Sequence, residues 1–276
     1  MSVAARLLRT PEGVAGLLLL ALPVAAALVA PFLFPADPLA IAGPALAPPF
    51  SDPALPLGTD RLGRDVLAGL VHGARASLTV GLAAAIVAVA FGTLIGTIAG
   101  FAGGLADEAL MRLTEAFQTV PGFLLALAFV SVAGGSLPVV VAAIALSAWT
   151  GPARLARAEV LSIRSRDYVA SARVAGMRPV EIALRQVLPN ALPPVLALSS
   201  VIVANAVLVE AALSFLGLGD PNVVTWGSMI AEGRTLLRAA PHLSIVPGLG
   251  LVVTVLGVHL VSVGLAEALA LRRVRT

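Results

Sequence analysis

The chain has 276 residues, of which 59% are hydrophobic and 12% are charged. Soluble domains carry about 25% charged residues, so this composition argues against a soluble domain and predicts a polytopic membrane protein. All 18 basic residues are Arg and there is no Cys, which excludes disulfides, thiolate metal sites, and any P-loop or Schiff-base lysine on this chain.

Apolar stretches divide the chain into candidate spans, since a spanning helix needs roughly 20 apolar residues. Six stretches qualify: 13–34, 77–101, about 114–133, 137 to about 152, 188–216 and 243 to about 269. Only the short run Gly134-Gly135-Ser136 separates the third from the fourth. Aromatic residues make up 4%, so small residues dominate and favour close helix packing. The predicted fold is an all-α membrane protein with six transmembrane helices.

The first stretch has two interpretations. A basic start, an apolar centre and small residues near Ala36 are also typical of a cleaved signal peptide. Its apolar length exceeds the roughly 7–15 residues of a signal core, which favours a retained span.

Arginine placement predicts the orientation. With the N-terminus inside, the inner segments hold 13 of the 18 Arg and the outer segments hold 5. The inner residues are Arg6, Arg9, Arg112, Arg154, Arg157, Arg164, Arg166, Arg173, Arg178, Arg185, Arg272, Arg273 and Arg275, and the outer ones are Arg61, Arg64, Arg75, Arg234 and Arg238. Since Arg and Lys accumulate in cytoplasmic loops, both termini are predicted to be cytoplasmic. The net charge of +3, spread over short segments, predicts no nucleic-acid partner.

The predicted external segments, 35–76, 134–136 and 217–242, differ in character. The first is Pro-rich and predicted to be irregular, with Gly58 and Gly63 allowing tight turns and Asp60 as a possible helix cap. The last carries a docking or lid candidate: Trp226, Met229, Arg234 and Arg238. An interfacial helix with Trp226 at the headgroup level is the alternative.

Within the spans, Gly92, Gly96 and Gly100 are spaced four apart, which predicts a helix-packing face. Glu210 is the clear acid inside a span, and such groups are costly in a bilayer. Two interpretations stay open: Glu210 lines a substrate path together with Asn205, or it hydrogen-bonds neighbouring helices. Pro189, Pro193 and Pro194 are interpreted as a bend at the start of the fifth span. His72, His242 and His259 lack metal-ligand spacing, so no metal site is predicted.

The central stretch, "DYVASARVAGMRPVEIALRQVLPN" (167–190), is predicted to be cytoplasmic and helical. Gly176 predicts a turn and Pro179 the first turn of another helix. Apolar residues lie among the charges: Tyr168, Val169, Ala172, Val174, Ala175 and Met177. A solvated loop does not need them, so the segment suits a groove on a soluble partner.

This stretch resembles the cytoplasmic coupling loop of ABC-importer permeases, in particular the dipeptide/oligopeptide/nickel permease family, C-type branch. Ala172 is followed four residues later by Gly176 and then by Leu188-Pro189, as in that family, although Ala170 and Ser171 depart from the general pattern. The stretches 57–81 and 213–248 resemble the same branch, so the resemblance covers nearly the whole chain.

The resemblance implies a type I importer bundle whose coupling helix docks on an ATPase subunit through Asp167, Tyr168, Ala172, Gly176, Met177 and Glu181. It implies three divisions: a first helix with its external loop (1–74), a permease domain (75–270) and a cytoplasmic tail (271–276). The implied partners are a second related permease, two ATPase subunits that hold ATP and Mg, an extracytoplasmic binding protein and the lipid bilayer of the inner membrane. No cofactor is expected on this chain.

The expected cargo is a peptide, with a nickel chelate or another small solute as the alternative. A stand-alone secondary transporter needs ion-coupling residues in the spans, of which Glu210 is nearly the sole example. An intramembrane enzyme needs a catalytic constellation, and His259 in the sixth stretch has no evident partner.

Overall fold

The computed structural model describes residues 6–273, with side chains up to residue 267. In this part the chain is helical, and its β-type pairing consists of the isolated bridges Ile41–Arg64 and Thr59–Asp65. The predicted all-α fold is therefore confirmed. Arg275, in the predicted cytoplasmic tail, lies outside the described residues.

The helices follow one another along the chain, and the longest connection, residues 34–65, lies between the first two. They are α1 (Pro11–Leu33), α2 (Val66–Ala102), α3 (Gly104–Gln118), α4 (Gly122–Ala133), α5 (Leu137–Ala148), α6 (Thr150–Arg164), α7 (Asp167–Val174), α8 (Pro179–Ile182), α9 (Leu188–Phe215), α10 (Trp226–Gly233) and α11 (His242–Arg273). A π-helical turn, Ala183–Val187, joins α8 to α9.

The described part of the chain has six candidate spans, as predicted, only if each of two bent helix pairs is counted as one span. Four helical stretches are long and apolar enough to cross a membrane: α1, α2, the continuous stretch 179–215 that contains α9, and α11. The pairs α3–α4 and α5–α6 qualify only jointly, with bends of 82° and 44°. A straight third span over 114–133 is therefore wrong, because Pro121 disfavours helical backbone in the residue before it.

Two details of helix placement also differ from the prediction. Helix α2 is capped by Asp65, whose carboxylate accepts from Leu67 N–H at 2.8 Å, and not by Asp60. The Asp60 carboxylate instead accepts from the backbone N–H groups of Leu62 and Arg64, in the turn that precedes α2. Pro193 and Pro194 lie inside α9, so the helix continues through them without a break. Such prolines are tolerated in membrane helices where neighbouring groups satisfy the freed backbone.

The glycine face of α2 is confirmed as a packing surface. A Cβ on Gly92 would lie 2.2 Å from the Trp149 carbonyl oxygen, and one on Gly96 would lie 2.1 Å from that of Ala153. Gly100 similarly meets the Arg157 carbonyl oxygen at 3.0 Å. Since each contact is with backbone, α2 and α6 approach as closely as two helices can.

Helix α1 also packs along α11 through close contacts at glycine residues. A Cβ on Gly16 would lie 2.6 Å from the Val261 backbone nitrogen, and one on Gly257 would meet Leu20 at 2.8 Å. This packing favours a retained first span over a cleaved signal peptide.

Polar segments collect at two ends of the bundle. One end, here called the loop end, joins the predicted external segments: Arg64 pairs with Glu232 at 3.8 Å, and Asp220 accepts from Leu137 N–H at 3.2 Å. The other, here called the Arg-rich end, joins α7 and α8 to the ends of α2, α3 and α6. The segments predicted to share a side of the membrane thus lie together.

Candidate functional site

The first candidate site is the segment 167–187 at the Arg-rich end. Helix α7 ends after Val174, Gly176 has a φ of +82°, and Pro179 begins α8. This positive φ suits glycine, because a Cβ would strain the backbone there. The predicted turn at Gly176 and the helix start at Pro179 are both confirmed.

The inner face of this segment is fixed to the chain's own core. Val169, Ile182 and Val187 are at most 1% exposed and form one cluster with residues of α6 and α9. Ala172 and Met177 pack against that cluster. Val169, Ile182 and Val187 therefore hold the segment in place, whereas Ala172 and Met177 stay partly exposed and their assignment to ATPase contact stays a prediction.

The outer face of the segment carries exposed charged residues and exposed apolar residues. Asp167 and Gly176 are exposed, Glu181 is half-buried and pairs with Arg185 at 2.7 Å, and Tyr168 is 39% exposed. Val174, at 90%, is the most exposed large apolar residue of the segment. It was not among the residues assigned to ATPase contact, although its position one helical turn beyond Ala170 places it away from Val169.

Two arginines of α6, the helix that precedes the segment 167–187, bind neighbouring helices. The Arg157 guanidinium donates to both carboxylate oxygens of Asp107, with a Nη2–Oδ2 distance of 2.7 Å, which joins α6 to α3. Arg164 donates to the Gly100 carbonyl at 2.7 Å, at the C-terminal end of α2. A cation is favoured where helix carbonyls are left unpaired. Helix α6, which precedes α7, is therefore linked through side chains to both α2 and α3.

The second candidate site is a cleft of about 250 Å³ at the loop end. It lies between the start of α2, the external turns and α10, and its charged lining residues are Asp60, Arg61, Arg64, Asp65, Asp220 and Glu232. Sequence reasoning missed this cleft, although the alternating charges in "TDRLGRD" are a signal for it.

The structure separates the four residues predicted for docking. Trp226 is 2% exposed and its indole Nε1 donates to the Leu70 carbonyl at 3.0 Å. Its assignment to a docking surface, or to a headgroup layer, is therefore wrong, since it anchors α10 to α2. Met229 lies half-buried against Gly69 in the cleft wall. Arg234 and Arg238 are exposed, and the Arg234 guanidinium lies 4.9 Å from the Phe215 ring centroid.

In this cleft, Glu232 has a carboxyl whose pKa is shifted. Burial raises the pKa of Glu232 above its ordinary value near 4.5, and the negative charge of Asp60 raises it further. Arg64 and Arg61 oppose this with a smaller effect. Glu232 therefore holds its proton more tightly in the folded state than in the unfolded state. Folding stability consequently falls as pH rises through the pKa of Glu232 in the folded state.

A pH series tests this assignment. Glu232→Gln is expected to raise the melting temperature above the range where Glu232 ionises and to flatten its pH dependence there, because the unfavourable carboxylate is removed. Arg64→Gln is the matched control: loss of the cation raises the Glu232 pKa further, so the pH-dependent region should extend to higher pH. Thermal unfolding of the purified protein from pH 4 to pH 8 measures both, and equal pH profiles for wild type and Glu232→Gln would contradict the assignment.

Glu210 and Asn205 do not share a helix face. Glu210 is 1% exposed whereas Asn205 is exposed, since five residues in a helix correspond to a rotation of about 140°. Their grouping into one path is therefore wrong. Ser77 donates to Glu210 Oε2 at 2.9 Å and Ser214 donates to Oε1 at 2.7 Å. The geometry favours the interpretation that Glu210 connects helices, and a pathway role for Asn205 stays a prediction.

A third feature is an apolar groove of about 1040 Å³ between α2, α9 and the segment 179–184, which contains α8. Its wall includes Leu82, Ile86, Leu94, Leu184 and Leu196. Such a lining suits acyl chains or another helix. Among the described residues no group of three His, Asp or Glu is arranged to hold a metal ion.

Comparison with known proteins identifies a family. Residues 92–275 match the model of the binding-protein-dependent transport system inner membrane component. The di/tripeptide transport system permease protein DppC of Pseudomonas aeruginosa is 38% identical over 260 residues, covering 92% of this chain and 86% of that protein. The probable peptide ABC transporter permease protein y4tQ of Sinorhizobium fredii is 40% identical over 211 residues, covering 76% and 72%.

A solved structure supports the fold. The chain superposes on a chain of the MetNI methionine ABC transporter, in an inward-facing conformation, with a TM-score of 0.59 and 17% identity. The superposition covers 73% of this chain and 95% of the other. At that identity the likeness concerns the fold alone.

Proposed function

The chain belongs to the family of binding-protein-dependent transport system inner membrane components, and on that premise we propose that it is the C-type permease of an ATP-driven peptide importer. It forms half of the translocation pathway, and a second related permease forms the other half. Two ATPase subunits supply ATP hydrolysis, so ATP and Mg bind on those subunits and this chain is not an enzyme. An extracytoplasmic binding protein delivers the cargo.

The orientation of the proposal follows the arginines. The Arg-rich end faces the cytoplasm and the loop end faces outward, with both termini inside. This placement obeys the positive-inside rule and puts the segment 167–187 where a soluble ATPase can reach it. The external cleft and the exposed Arg234 and Arg238 then face the binding protein.

The observation that carries the proposal is the two-sided build of the segment 167–187. Its inner face joins the core through Val169, Ile182 and Val187, while its outer face exposes Tyr168 and Val174. A groove on the ATPase that binds the outer face would move α7 and α8 as one body. Because the buried cluster is closely packed, α6 and α9 would follow, and the bundle would change between inward- and outward-facing states.

The proposed cargo is a peptide. Two relatives, 38% and 40% identical, are named as a di/tripeptide and a peptide permease. The glutathione transport system permease protein GsiD of Pectobacterium atrosepticum, 36% identical over 77% of this chain, also has a peptide-like cargo in its name.

Co-purification and ATP hydrolysis test this function. The tagged chain, expressed with its genomic neighbours, is expected to be recovered with a second permease and two ATPase subunits. In liposomes, the loaded binding protein should raise ATP hydrolysis and drive peptide uptake. Peptide flux through this chain without any ATPase would overturn the proposal, and so would a complex whose hydrolysis ignores the binding protein.

A further inference from the structure

The buried carboxyl of Glu210 lies where three helices meet. Ser77 of α2 donates to one of its oxygens at 2.9 Å, and Ser214 of α9 donates to the other at 2.7 Å. The backbone N–H of Trp226, the first residue of α10, donates to the Ser77 hydroxyl oxygen at 3.3 Å. One hydrogen-bonded chain thus runs from α10 through α2 to α9, here called the Glu210 network.

The direction of these bonds is set by the carboxyl group. Both hydroxyls donate to Glu210, so the Ser77 oxygen is left to accept from Trp226. Each carboxyl oxygen of Glu210 accepts from one hydroxyl, and this is the pattern the network needs. A buried polar group is costly unless it is hydrogen-bonded, so the carboxyl of Glu210 and the two hydroxyls that donate to it depend on one another.

Helix α10 is held against the spans by close backbone contacts as well. A Cβ on Gly227 would lie 2.3 Å from the Ala211 carbonyl oxygen of α9, and one on Gly73 of α2 would meet Trp226 at 3.0 Å. The same short helix forms a wall of the external cleft through Ser228, Met229 and Glu232. One part of α10 therefore faces the cleft while its first turn is bonded to the centre of the bundle.

We propose that Glu210 is a positioning residue that transmits binding-protein docking from α10 to the spans α2 and α9. This rests on the proposed function. A binding protein seated at the loop end would shift α10, and the Glu210 network would convey the shift to both spans at once. Direct contact between Glu210 and cargo is disfavoured, because the residue is 1% exposed.

The test uses the complete complex, reconstituted with its ATPase subunits and binding protein. Glu210→Gln keeps the size of the side chain but replaces one acceptor oxygen by a donor, and Ser77→Ala and Ser214→Ala each remove one hydroxyl. Ser147→Ala is the matched control, since that hydroxyl bonds the Ile144 carbonyl of its own helix. Assembly, basal ATP hydrolysis, binding-protein affinity and binding-protein-stimulated hydrolysis are measured for each.

The expected result is normal assembly, basal hydrolysis and affinity in Glu210→Gln and Ser77→Ala, with stimulation reduced at least about fivefold, the lower range of typical coupling between sites. Ser147→Ala should behave as wild type. Unchanged stimulation in Glu210→Gln and in Ser77→Ala would overturn the inference. A raised KM for peptide with full stimulation would overturn it in favour of cargo contact. If Glu210→Gln fails to accumulate, Ser77→Ala and Ser214→Ala decide the question.

Failure of the proposed function gives a different result. In that case the wild-type complex itself does not form, or its hydrolysis does not respond to the binding protein. The inference fails only when wild type responds and the network variants respond equally.

Discussion

Gly176→Asp is expected to reduce peptide uptake strongly while the chain stays in the membrane at wild-type level. Gly176 has a φ of +82°, and a Cβ there would meet nothing within 4 Å, so the cost is backbone strain and not collision. That strain is at most roughly 1–2 kcal/mol, and for Asp it is smaller than for most residues with a side chain. The turn between α7 and α8 would relax, and the outer face of the segment would no longer match the ATPase groove.

A loss of about 1–2 kcal/mol corresponds to a factor of roughly 5–30 in an equilibrium. Uptake in vesicles should therefore fall by up to about that factor, and the added negative charge should reduce it further. ATP hydrolysis by the complex should no longer respond to the binding protein. Membrane level, uptake and hydrolysis are measured on the same preparation.

Two variants separate the causes. Gly176→Asn tolerates positive φ about as well as Asp but adds no charge, so it isolates the effect of the charge and should retain more uptake than Asp. Gly104→Asp places the same residue at another glycine of positive φ, +56°, with nothing within 4 Å, at the first position of α3. It should keep the response to the binding protein, because Gly104 lies outside the segment 167–187. Normal uptake by Gly176→Asp would reduce that segment to an ordinary charged loop.

Gly96→Leu is expected to prevent accumulation of the folded chain. A Cβ on Gly96 would lie 2.1 Å from the Ala153 carbonyl oxygen, and this neighbour is backbone that cannot rotate away. Helices α2 and α6 would have to separate, which opens the interface at Gly92 and Gly100 too. Overpacking costs typically about 1–3 kcal/mol and occasionally more, and contact with backbone belongs to the costly cases.

The measurement is the amount of monodisperse protein after membrane extraction, together with its melting temperature. Gly151→Ala is the control, because Gly151 is a helical glycine of α6 whose added Cβ would meet nothing within 4 Å. It should be neutral or slightly stabilising, since Ala is the better helix former by roughly 1 kcal/mol. Equal yields of Gly96→Leu and Gly151→Ala would mean that the close approach of α2 and α6 is not required for folding.

Composition and periodicity by themselves predicted the helical membrane fold, the segments that share an end of the bundle, and the packing role of Gly92, Gly96 and Gly100. These follow from properties that each segment carries alone, namely apolar length, charge and small side chains. The turn at Gly176 is of the same kind, because a glycine followed three residues later by a proline is a local signal.

Other features depended on which residues meet across the bundle, and only the tertiary structure decided them. Trp226 looked like a surface residue, yet it is buried because its backbone N–H and indole find partners on α2, about 150 positions earlier in the chain. Glu210 found its partners through the same junction, and no local pattern pairs it with Ser77. The side of the segment 167–187 that faces outward was likewise set by the buried cluster it packs against. Hydrogen bonds and packing between distant segments have no signature in a single stretch of sequence, whereas hydropathy, charge and turn preference do.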